Sequence, residues 1–560
     1  MAGLLGVEVG PTRPWRGPWN RILFEDALRI ARDPSIAGMT TMLTLPRPKA
    51  LLALMLPIAL LLAACGGSGG RDDAATKQFV YLSQSEPARG MDPALASGSL
   101  VDGQYMQLVY GQMLYQKADG TIVPGMAQSV TPNADHTQWT VTLRPNLKFS
   151  DGTPYDADAV KAYWARMADP ATASPTRAPL TEVAEVTAAS PTVVQVTLKA
   201  PDGTWNQALT TPVGTVPSPT AVKAAGTSYG TTPQTTVGAG PFVITELSKG
   251  NRYVFERNRT YWDAPKPLLD RVEVRAMPDH TARANTFRSG GADMTNSYSA
   301  ESETVNLQKS GVPTAAVVSP GVFALAMRTD RGPTADVRVR EALQRAVDTN
   351  AVIQRAAPAA VPAPAVADPK GPWASDVAYP GHDLPKAQQL IDSYLADTGQ
   401  TTIPITISGA NTNTKIWEAV KQEWDKLRGV TVTIQADERN RTSTRIATRD
   451  YDTTLSGSLP DNPRTALTNL LTGSPQNLSY LSDPQMDAAL REANATEDVA
   501  KQKEGMRKVA ERASQLVPAV LLYRTPLNWF WQKNVEGVEL SLTSGVIQFE
   551  NVGKGASANQ

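Results

Sequence analysis

The sequence contains very little cysteine and histidine. Its 560 residues include one cysteine and three histidines. One cysteine excludes an internal disulfide framework and a zinc site built from cysteines. His136, His280 and His382 stand in unrelated contexts, without the spacing of metal ligands. We therefore expect no metal site and no bound cofactor.

The chain also lacks an excess of charge of either sign. It has 54 Lys and Arg residues against 54 Asp and Glu residues. Residues 1–64 carry seven of the basic and four of the acidic residues, so the net charge of the remainder is near −3. No basic stripe and no basic cluster with interleaved aromatic residues is present. These features argue against a nucleic-acid-binding protein.

Long apolar runs are absent except for one near the N-terminus, Ala50–Leu62. Its thirteen residues are too few to cross a bilayer, which takes about 20. Arg47 and Lys49 precede the run and small residues follow it, which is the order typical of a secretory signal peptide. Once this segment is removed, the sequence predicts no membrane-spanning helix.

The single cysteine, Cys65, ends the segment Leu62–Cys65, which reads LAAC. This tetrapeptide resembles a bacterial lipobox, where a cysteine must follow the cleavage site because its thiol becomes a thioether to a diacylglycerol. We therefore expect a lipoprotein on the outer face of the cytoplasmic membrane or in the periplasmic space. Two or more acyl chains on Cys65 would give stable attachment. A chance small-residue tail with a free thiol is the alternative.

Two further segments flank this signal. Residues 1–38 do not resemble a signal peptide, so we expect translation to start at Met39 or Met42 rather than Met1. Residues 66–76 form a flexible Gly/Ser and charged tether. This tether contains a G-x-S-x-G string, which indicates a hydrolase only between a strand and a helix.

About 480 residues follow the tether, which is enough for two or three domains. Several short segments alternate apolar and polar residues, as half-buried strands do. The predicted strands are Phe79–Leu82, Trp139–Leu143, Val194–Leu198, Tyr253–Glu256, Val272–Val274, Ile403–Ile407, Val430–Ile434 and Val520–Tyr523. They alternate with helical patterns, so the sequence predicts an α/β fold.

One βαβ unit is especially clear in the second half of the chain. Between the strands Ile403–Ile407 and Val430–Ile434, apolar residues including Trp417 and Trp424 recur at helical spacing. Gly429 can end that helix. The unit predicts a right-handed crossover and a parallel strand pair. We interpret both tryptophans as core residues rather than ligand contacts.

Local signals elsewhere have structural interpretations. Asp156 and Asp158 favour the first turn of a helix, and Asp336 can cap another helix. Gly238 and Gly240 allow a close backbone approach at the start of a strand.

Several longer blocks together resemble a known family, the family 5 extracellular solute-binding proteins. These are the peptide- and nickel-binding components of ABC importers. The blocks occur in the family's order and cover nearly all of residues 77–553. They are Met91–Leu95, Leu108–Ser129, Trp139–Met167, Val237–Thr245, Phe255–Asp279, Asp336–Ile353, Gly429–Gln435 and Tyr480–Leu490.

This resemblance implies a two-lobed, periplasmic-binding-protein-like fold of class II, or cluster C, type. It implies an extra subdomain in lobe one and a two-strand hinge, with crossings near Arg328–Thr334 and Tyr523–Pro526. The expected boundaries are residues 1–64 for the signal peptide with a doubtful N-terminal extension, 65–76 for the lipidated tether, 77–100, 221–333 and 525–553 for lobe one, 101–220 for the subdomain, and 334–524 for lobe two.

The resemblance also suggests a ligand-binding aspartate. In peptide-binding relatives, an aspartate shortly after a strand holds the α-ammonium group of the peptide. Asp461, in the stretch Tyr451–Leu467, is its best counterpart here. Asp461 also stands in the sequence PDNP, where Asp and Asn favour a turn in any case. The sequence leaves both interpretations open.

Two departures from the family pattern bear on the ligand. The tryptophan expected near Ser456–Ser458 is missing, and the loop Ser408–Lys415 lacks the arginine that holds the ligand carboxylate in dipeptide-binding relatives. Asn411 and Asn413 could line the pocket, with Lys415 as a substitute cation. By resemblance, the loop Ser83–Pro87, which includes Ser85, Glu86 and Pro87, borders the cleft and pairs with an extended peptide.

The predicted function is capture of an oligopeptide or dipeptide and its delivery to an ABC permease and ATPase complex, without catalysis. We expect a monomer that binds no nucleic acid. An oligosaccharide, a metallophore or another polar solute is the alternative ligand. A secreted hydrolase or a sensor or adhesion lipoprotein is the alternative from another class, although no catalytic motif stands in a suitable context.

Overall fold

The computed structural model describes residues 77–117, 120–297, 302–318, 321–369, 371–459, 462–541 and 546–555. For residues 439–440, 443, 447 and 456–459 it describes the backbone alone. All of these residues belong to the unit Ala74–Gln560. Cys65 and Asp461 lie outside the described residues, as do the predicted signal peptide and tether.

Strands are distributed along the whole described chain, and every strand predicted above is confirmed. In chain order they are β1 (Gln78–Ser83), β2 (Leu114–Gln116), β3 (Ile122–Pro124), β4 (Ala127–Pro132), β5 (Gln138–Leu143), β6 (Val183–Ser190), β7 (Val193–Leu198), β8 (Phe242–Ser248), β9 (Arg252–Arg257), β10 (Arg271–Ala276), β11 (Met294–Ser297), β12 (Thr314–Val318), β13 (Val322–Met327), β14 (Val361–Pro362), β15 (Ile403–Ala410), β16 (Val430–Asp437), β17 (Thr453–Leu459), β18 (Ala519–Arg524), β19 (Pro526–Trp531), β20 (Val535–Glu536) and β21 (Gly553–Lys554).

Helices alternate with these strands. They are α1 (Leu100–Tyr110), α2 (Ala157–Ala168), α3 (Ala178–Thr181), α4 (Pro219–Ala225), α5 (His280–Arg288), α6 (Ser302–Gln308), α7 (Val337–Ala346), α8 (Thr349–Ala356), α9 (Leu384–Thr398), α10 (Thr414–Trp424), α11 (Arg439–Ala447), α12 (Pro463–Leu470), α13 (Pro484–Asn494) and α14 (Val499–Leu516). Within the described ranges, no helix is both long and apolar enough to cross a membrane.

Two large sheets define two lobes. Lobe one contains the seven-stranded sheet β12-β19-β11-β1-β10-β9-β8, and lobe two contains the six-stranded sheet β14-β18-β13-β17-β15-β16. A four-stranded sheet, β4-β5-β7-β6, forms the centre of the subdomain. Each sheet buries its own hydrophobic cluster, so each is a separate packing unit.

The predicted βαβ unit is confirmed, although its helix α10 ends at Trp424 with Asp425 as the C-cap, so the expected end at Gly429 is wrong. β15 and β16 pair in parallel over their full length, from Ile403 opposite Val430 to Ala410 opposite Asp437. Helix α10 connects them. Trp417 and Trp424 on this helix are both 0% exposed and belong to the core of lobe two, as predicted. This core position follows from their helical spacing, which puts both rings on the buried face.

The local signals also have structural roles, although Asp156 is the N-cap of α2 and only Asp158 lies in its first turn. The Asp156 side chain accepts a hydrogen bond from the Ala159 amide and caps α2, whereas Asp336 caps α7. Gly240 faces the backbone of Val109–Gly111, where an added Cβ would lie 2.6 Å from the Gly111 nitrogen. A larger residue there would therefore push apart α1 and the start of β8.

Helix α1 belongs to lobe one rather than to the subdomain, which we expected to begin at residue 101. Its apolar residues pack into the lobe-one core together with Phe79, Phe255 and Trp529. The subdomain core instead gathers Trp139, Trp164 and other residues that follow α1. The boundary shifts because most of α1 is buried and its apolar side chains pack in the core of lobe one.

The first hinge crossing also differs from the prediction. β12 lies in the lobe-one sheet, while β13 already lies in the lobe-two sheet. The chain therefore crosses between Val318 and Val322, and the predicted crossing at Arg328–Thr334 is wrong. β18 and β19 lie in different sheets, so the second crossing is at Arg524–Pro526, within the predicted segment. β13 is a continuous apolar run, as expected for a buried strand of either lobe, and only its pairing in the sheet shows which lobe it joins.

Candidate ligand-binding site

One edge of the lobe-two sheet collects the carboxyl ends of several strands. β15 runs parallel to both β16 and β17. β13 is antiparallel to both β17 and β18, so β18 ends and β13 begins at this same edge. Both hinge segments therefore leave lobe two here. In open α/β sheets, the crevice outside the carboxyl ends of parallel strands is where ligands bind.

Lobe one presents a matching edge. β1 runs parallel to β10 and β11, so all three strands end together. β19 is antiparallel to β11 and β12, so it starts where they end. The hinge thus joins the strand ends of one sheet to the strand ends of the other. We place the cleft between these two edges and call each of them a cleft edge.

The predicted loop Ser83–Pro87 lies on the lobe-one cleft edge, because β1 ends at Ser83. Its carbonyl group at Ser85 accepts hydrogen bonds from the Ser83 hydroxyl, at 2.7 Å, and from the Tyr105 hydroxyl, at 3.3 Å. Pro87 is buried and its carbonyl accepts a bond from the Gly90 amide. These contacts hold the loop in a defined shape at the cleft edge.

The same loop retains backbone donors. Within the described part of the chain, the amides of Gln84, Ser85 and Glu86 donate no hydrogen bond. The side-chain oxygen of Gln84 is buried and has no partner among the described residues. An extended chain laid along this loop would therefore find hydrogen-bonding groups that the protein itself does not use.

Glu86 is engaged with its own lobe. Its Oε2 accepts a hydrogen bond of 2.8 Å from the Gly250 amide in the β8–β9 turn. Burial, followed by the charge of the Glu86 carboxylate, raises the pKa of Tyr253, so this phenol stays protonated beside the carboxylate. Glu86 therefore ties the loop to the β8–β9 turn.

A cavity of about 580 Å³ opens at the lobe-two cleft edge. It lies where β15 and β16 end and α11 begins. Its lining is mostly polar and carries both signs of charge. The lining residues are Asn411, Ala436, Asp437, Glu438, Arg441 and Thr444.

The charges of this cavity differ in how firmly they are held. Asp437 is 7% exposed and accepts a hydrogen bond of 2.7 Å from Arg445 Nε. This bond raises the pKa of Arg445, which also pairs with Asp450. Arg441 is 75% exposed, and its guanidinium lies 3.9 Å from Asp437. The cavity lining thus combines the Asp437 carboxylate, which Arg445 holds in place, with an exposed guanidinium.

The structure separates the residues predicted on the loop after β15. Asn411 lines the cavity. Asn413 stands at the N-cap position of α10 without a side-chain capping bond, and Lys415 is exposed in the first turn of that helix. Neither of these two is a lining residue. Asp461 follows β17 in the sequence but lies outside the described residues.

Asp437, Glu438 and Arg441 were not among the predicted site residues. A signal for them was present, because they follow directly on β16, the partner of β15 in the predicted parallel pair. Carboxyl ends of parallel strands lie at one edge, so this loop belongs beside Ser408–Lys415. Within the described ranges, no three His, Cys, Asp or Glu side chains are grouped so that they could hold a metal ion.

Comparison with known proteins agrees with this architecture. Residues 121–478 match the family model described as bacterial extracellular solute-binding proteins, family 5 Middle. The chain is 28% identical over 467 residues to the periplasmic murein peptide-binding protein MppA of Escherichia coli. This alignment covers 78% of this chain and 86% of MppA. It is 27% identical over 462 residues to the periplasmic oligopeptide-binding protein OppA of the same organism, covering 76% of this chain and 83% of OppA.

A solved structure shares the fold. The binding protein AgaA from A. tumefaciens, in complex with agropinic acid, superposes with a TM-score of 0.72 at 23% identity. The superposition covers 86% of this chain and 99% of AgaA.

Proposed function

Because the chain belongs to the bacterial extracellular solute-binding proteins of family 5, we propose that it is the substrate-binding component of an ABC importer. It captures an oligopeptide or dipeptide between its two lobes and delivers this ligand to the permease, which works with an ATPase. Members of this family bind solutes, and the proposal assigns no catalytic step to this chain. Closure of the lobes on a ligand requires that the ligand bind the closed form better than the open form.

The observation that carries the peptide assignment is the loop Ser83–Pro87. Its amides at Gln84, Ser85 and Glu86 are available to pair with a backbone, which is the one part that all peptides share. The names of MppA and OppA, a murein peptide and an oligopeptide binder, support the same ligand class. Side-chain-independent pairing would suit a protein that accepts peptides of varied sequence.

Asp461 is the proposed partner of the peptide's α-ammonium group. It follows β17, whose carboxyl end lies at the lobe-two cleft edge. Asp461 is not needed to cap α12, because the Asn462 side chain is the N-cap and accepts a hydrogen bond from the Thr465 amide. A carboxylate bound to an ammonium group would contribute on the order of 1.5–3 kcal/mol.

A second candidate ligand is a small polar solute. The cavity beside α11 carries an exposed guanidinium and the amide of Asn411, which suit a carboxylate or several hydroxyl groups. AgaA, which has this fold, is described in complex with agropinic acid. Such a solute would use the cavity without needing the loop Ser83–Pro87.

The two ligand classes can be separated by thermal unfolding of the full chain. We expect alanine peptides of two to five residues to raise the melting temperature. A ligand at 100 times its dissociation constant adds about 2.7 kcal/mol to the free energy of unfolding, because it binds the folded state alone. Maltotriose serves as the matched polar solute without a peptide backbone. A shift with maltotriose and none with the peptides would make the peptide assignment wrong.

Membrane attachment through Cys65 completes the proposal, because an anchored binding protein stays close to its permease. In cells fed radiolabelled palmitate, we expect label in the wild-type chain and in the membrane fraction. Cys65→Ser should lose the label and leave the membrane fraction, whereas Ser68→Ala in the neighbouring tether should retain both. Label in the Cys65→Ser protein would contradict the anchor.

A further inference from the structure

A loop of the subdomain, Pro201–Trp205, follows β7 and contacts lobe two. We propose that this loop is a latch: it holds lobe two against the subdomain at the cleft edge and thereby sets the apparent affinity for the ligand. The effect of the latch on affinity rests on the proposed function, because that function supplies the ligand. The latch itself is a contact that can be measured without any ligand.

An ion pair forms the centre of the contact. Arg464 Nη1 on α12 of lobe two donates to Asp202 Oδ2 of the subdomain at 2.5 Å. The Arg464 and Asp202 side chains are 18% and 16% exposed. Neighbouring atoms shield both from water, so their attraction is screened less than that of an exposed surface pair.

Asn494, at the end of α13, adds a second set of bonds. Its carbonyl oxygen accepts a hydrogen bond of 2.7 Å from the Gly203 amide, and its Oδ1 lies 3.0 Å from the Thr204 hydroxyl. Its Nδ2 donates to the carbonyl oxygen of Pro463, the first residue of α12, at 2.8 Å. Asn494 therefore connects the latch loop to the same helix that carries Arg464.

The fit of the loop is steric as well as polar. A Cβ added at Gly203 would lie 2.2 Å from the carbonyl carbon of Thr496, so only glycine permits this approach. The loop is also rigid on its own side. Trp139 Nε1 donates to the Asp202 carbonyl oxygen, and the Trp205 ring packs against Trp139 in the subdomain core.

The position of the contact links it to the cleft. α12 begins at Pro463, just after β17 ends at the lobe-two cleft edge. The latch thus joins subdomain and lobe two on the side where the ligand is proposed to bind. If a ligand binds only the closed form, its apparent dissociation constant is the intrinsic one divided by the closed fraction. Loss of the latch lowers that fraction and weakens binding.

The first test measures lobe separation without ligand. Spin labels at Ala189→Cys on β6 and Lys501→Cys on α14, both exposed, report the distance from subdomain to lobe two in a full chain carrying Cys65→Ser. Asp202→Asn, Arg464→Gln and Gly203→Ala should each shift the distribution to longer distances. Arg464→Lys keeps the positive charge and leaves the hydrogen bonds from Thr204 to Asp202 Oδ1 in place, so it should retain the parent distribution. An unchanged distribution in Asp202→Asn, Arg464→Gln and Gly203→Ala alike would overturn the latch.

The second measurement is binding of trialanine to the same variants. We expect affinity to fall about tenfold in Asp202→Asn, Arg464→Gln and Gly203→Ala, a typical coupling between two sites, and to be retained in Arg464→Lys. Asp135→Asn, in an exposed turn of the subdomain, and Arg491→Gln, exposed on α13, are the matched controls. Longer distances with unchanged affinity would refute the coupling. If the parent does not bind trialanine, the peptide assignment fails, and the distances alone decide the latch.

Discussion

Replacing Asp461 with alanine is expected to weaken trialanine binding by roughly 10- to 150-fold. The estimate follows from the loss of about 1.5–3 kcal/mol for a hydrogen bond between charged groups. The fold should be retained, since the α12 N-cap comes from Asn462. Isothermal titration calorimetry on the full chain measures the change, with circular dichroism as the check on folding.

The ligand offers a sharper control than any single variant. N-acetyl-trialanine lacks the ammonium group and should bind the wild-type protein as weakly as Asp461→Ala binds trialanine. For the Asp461→Ala protein, acetylation should make little further difference, because the partner of the ammonium group is already gone. Asp392→Ala, an exposed aspartate on α9 of the same lobe, should bind both peptides as the wild type does. Equal losses on acetylation in wild type and Asp461→Ala would remove Asp461 from the site.

Replacing Trp424 with alanine is expected to lower the free energy of unfolding by about 3–5 kcal/mol. Its ring is 0% exposed in the lobe-two core, and its Nε1 donates to the Leu343 carbonyl oxygen at 2.8 Å. The variant would lose the packing of the ring and leave a buried carbonyl without its donor. Urea unfolding followed by circular dichroism measures the loss.

Trp424→Phe is the matched variant, because it keeps an aromatic ring in the core and removes the indole N–H. We expect a loss of about 1–3 kcal/mol, the cost of the unpaired carbonyl, and so a smaller effect than in Trp424→Ala. Both proteins should bind trialanine normally while folded. A selective loss of affinity with unchanged stability would instead make Trp424 a ligand contact, against the core assignment.

Local features of this protein could be predicted from the sequence with good accuracy. The β15–α10–β16 unit, the core position of Trp417 and Trp424, the cap at Asp336 and the close approach at Gly240 all follow from short-range rules. Periodicity, capping and glycine sterics involve neighbouring residues or a single contact. The ordered sequence blocks likewise indicated the family and its two lobes.

The candidate site was predicted only in part. Asn411 lines the cavity, and Ser83–Pro87 follows β1 at the cleft edge. Arg441 and Asp437 were not predicted, although the parallel pairing of β15 and β16 places them beside Asn411. The sequence marks where each strand ends, but the partner loop becomes visible only when strands are assigned to one sheet.

The sequence by itself determined the class of the protein, an α/β binding protein with a predicted anchor at Cys65, because these depend on residue order and local pattern. Only the tertiary structure decided where the hinge crosses, to which lobe α1 belongs, and that Asp202 meets Arg464 across 262 residues of chain. Such contacts arise from how sheets pair and lobes pack. No local pattern encodes which distant surfaces will meet, because the residues of each contact lie far apart in the sequence.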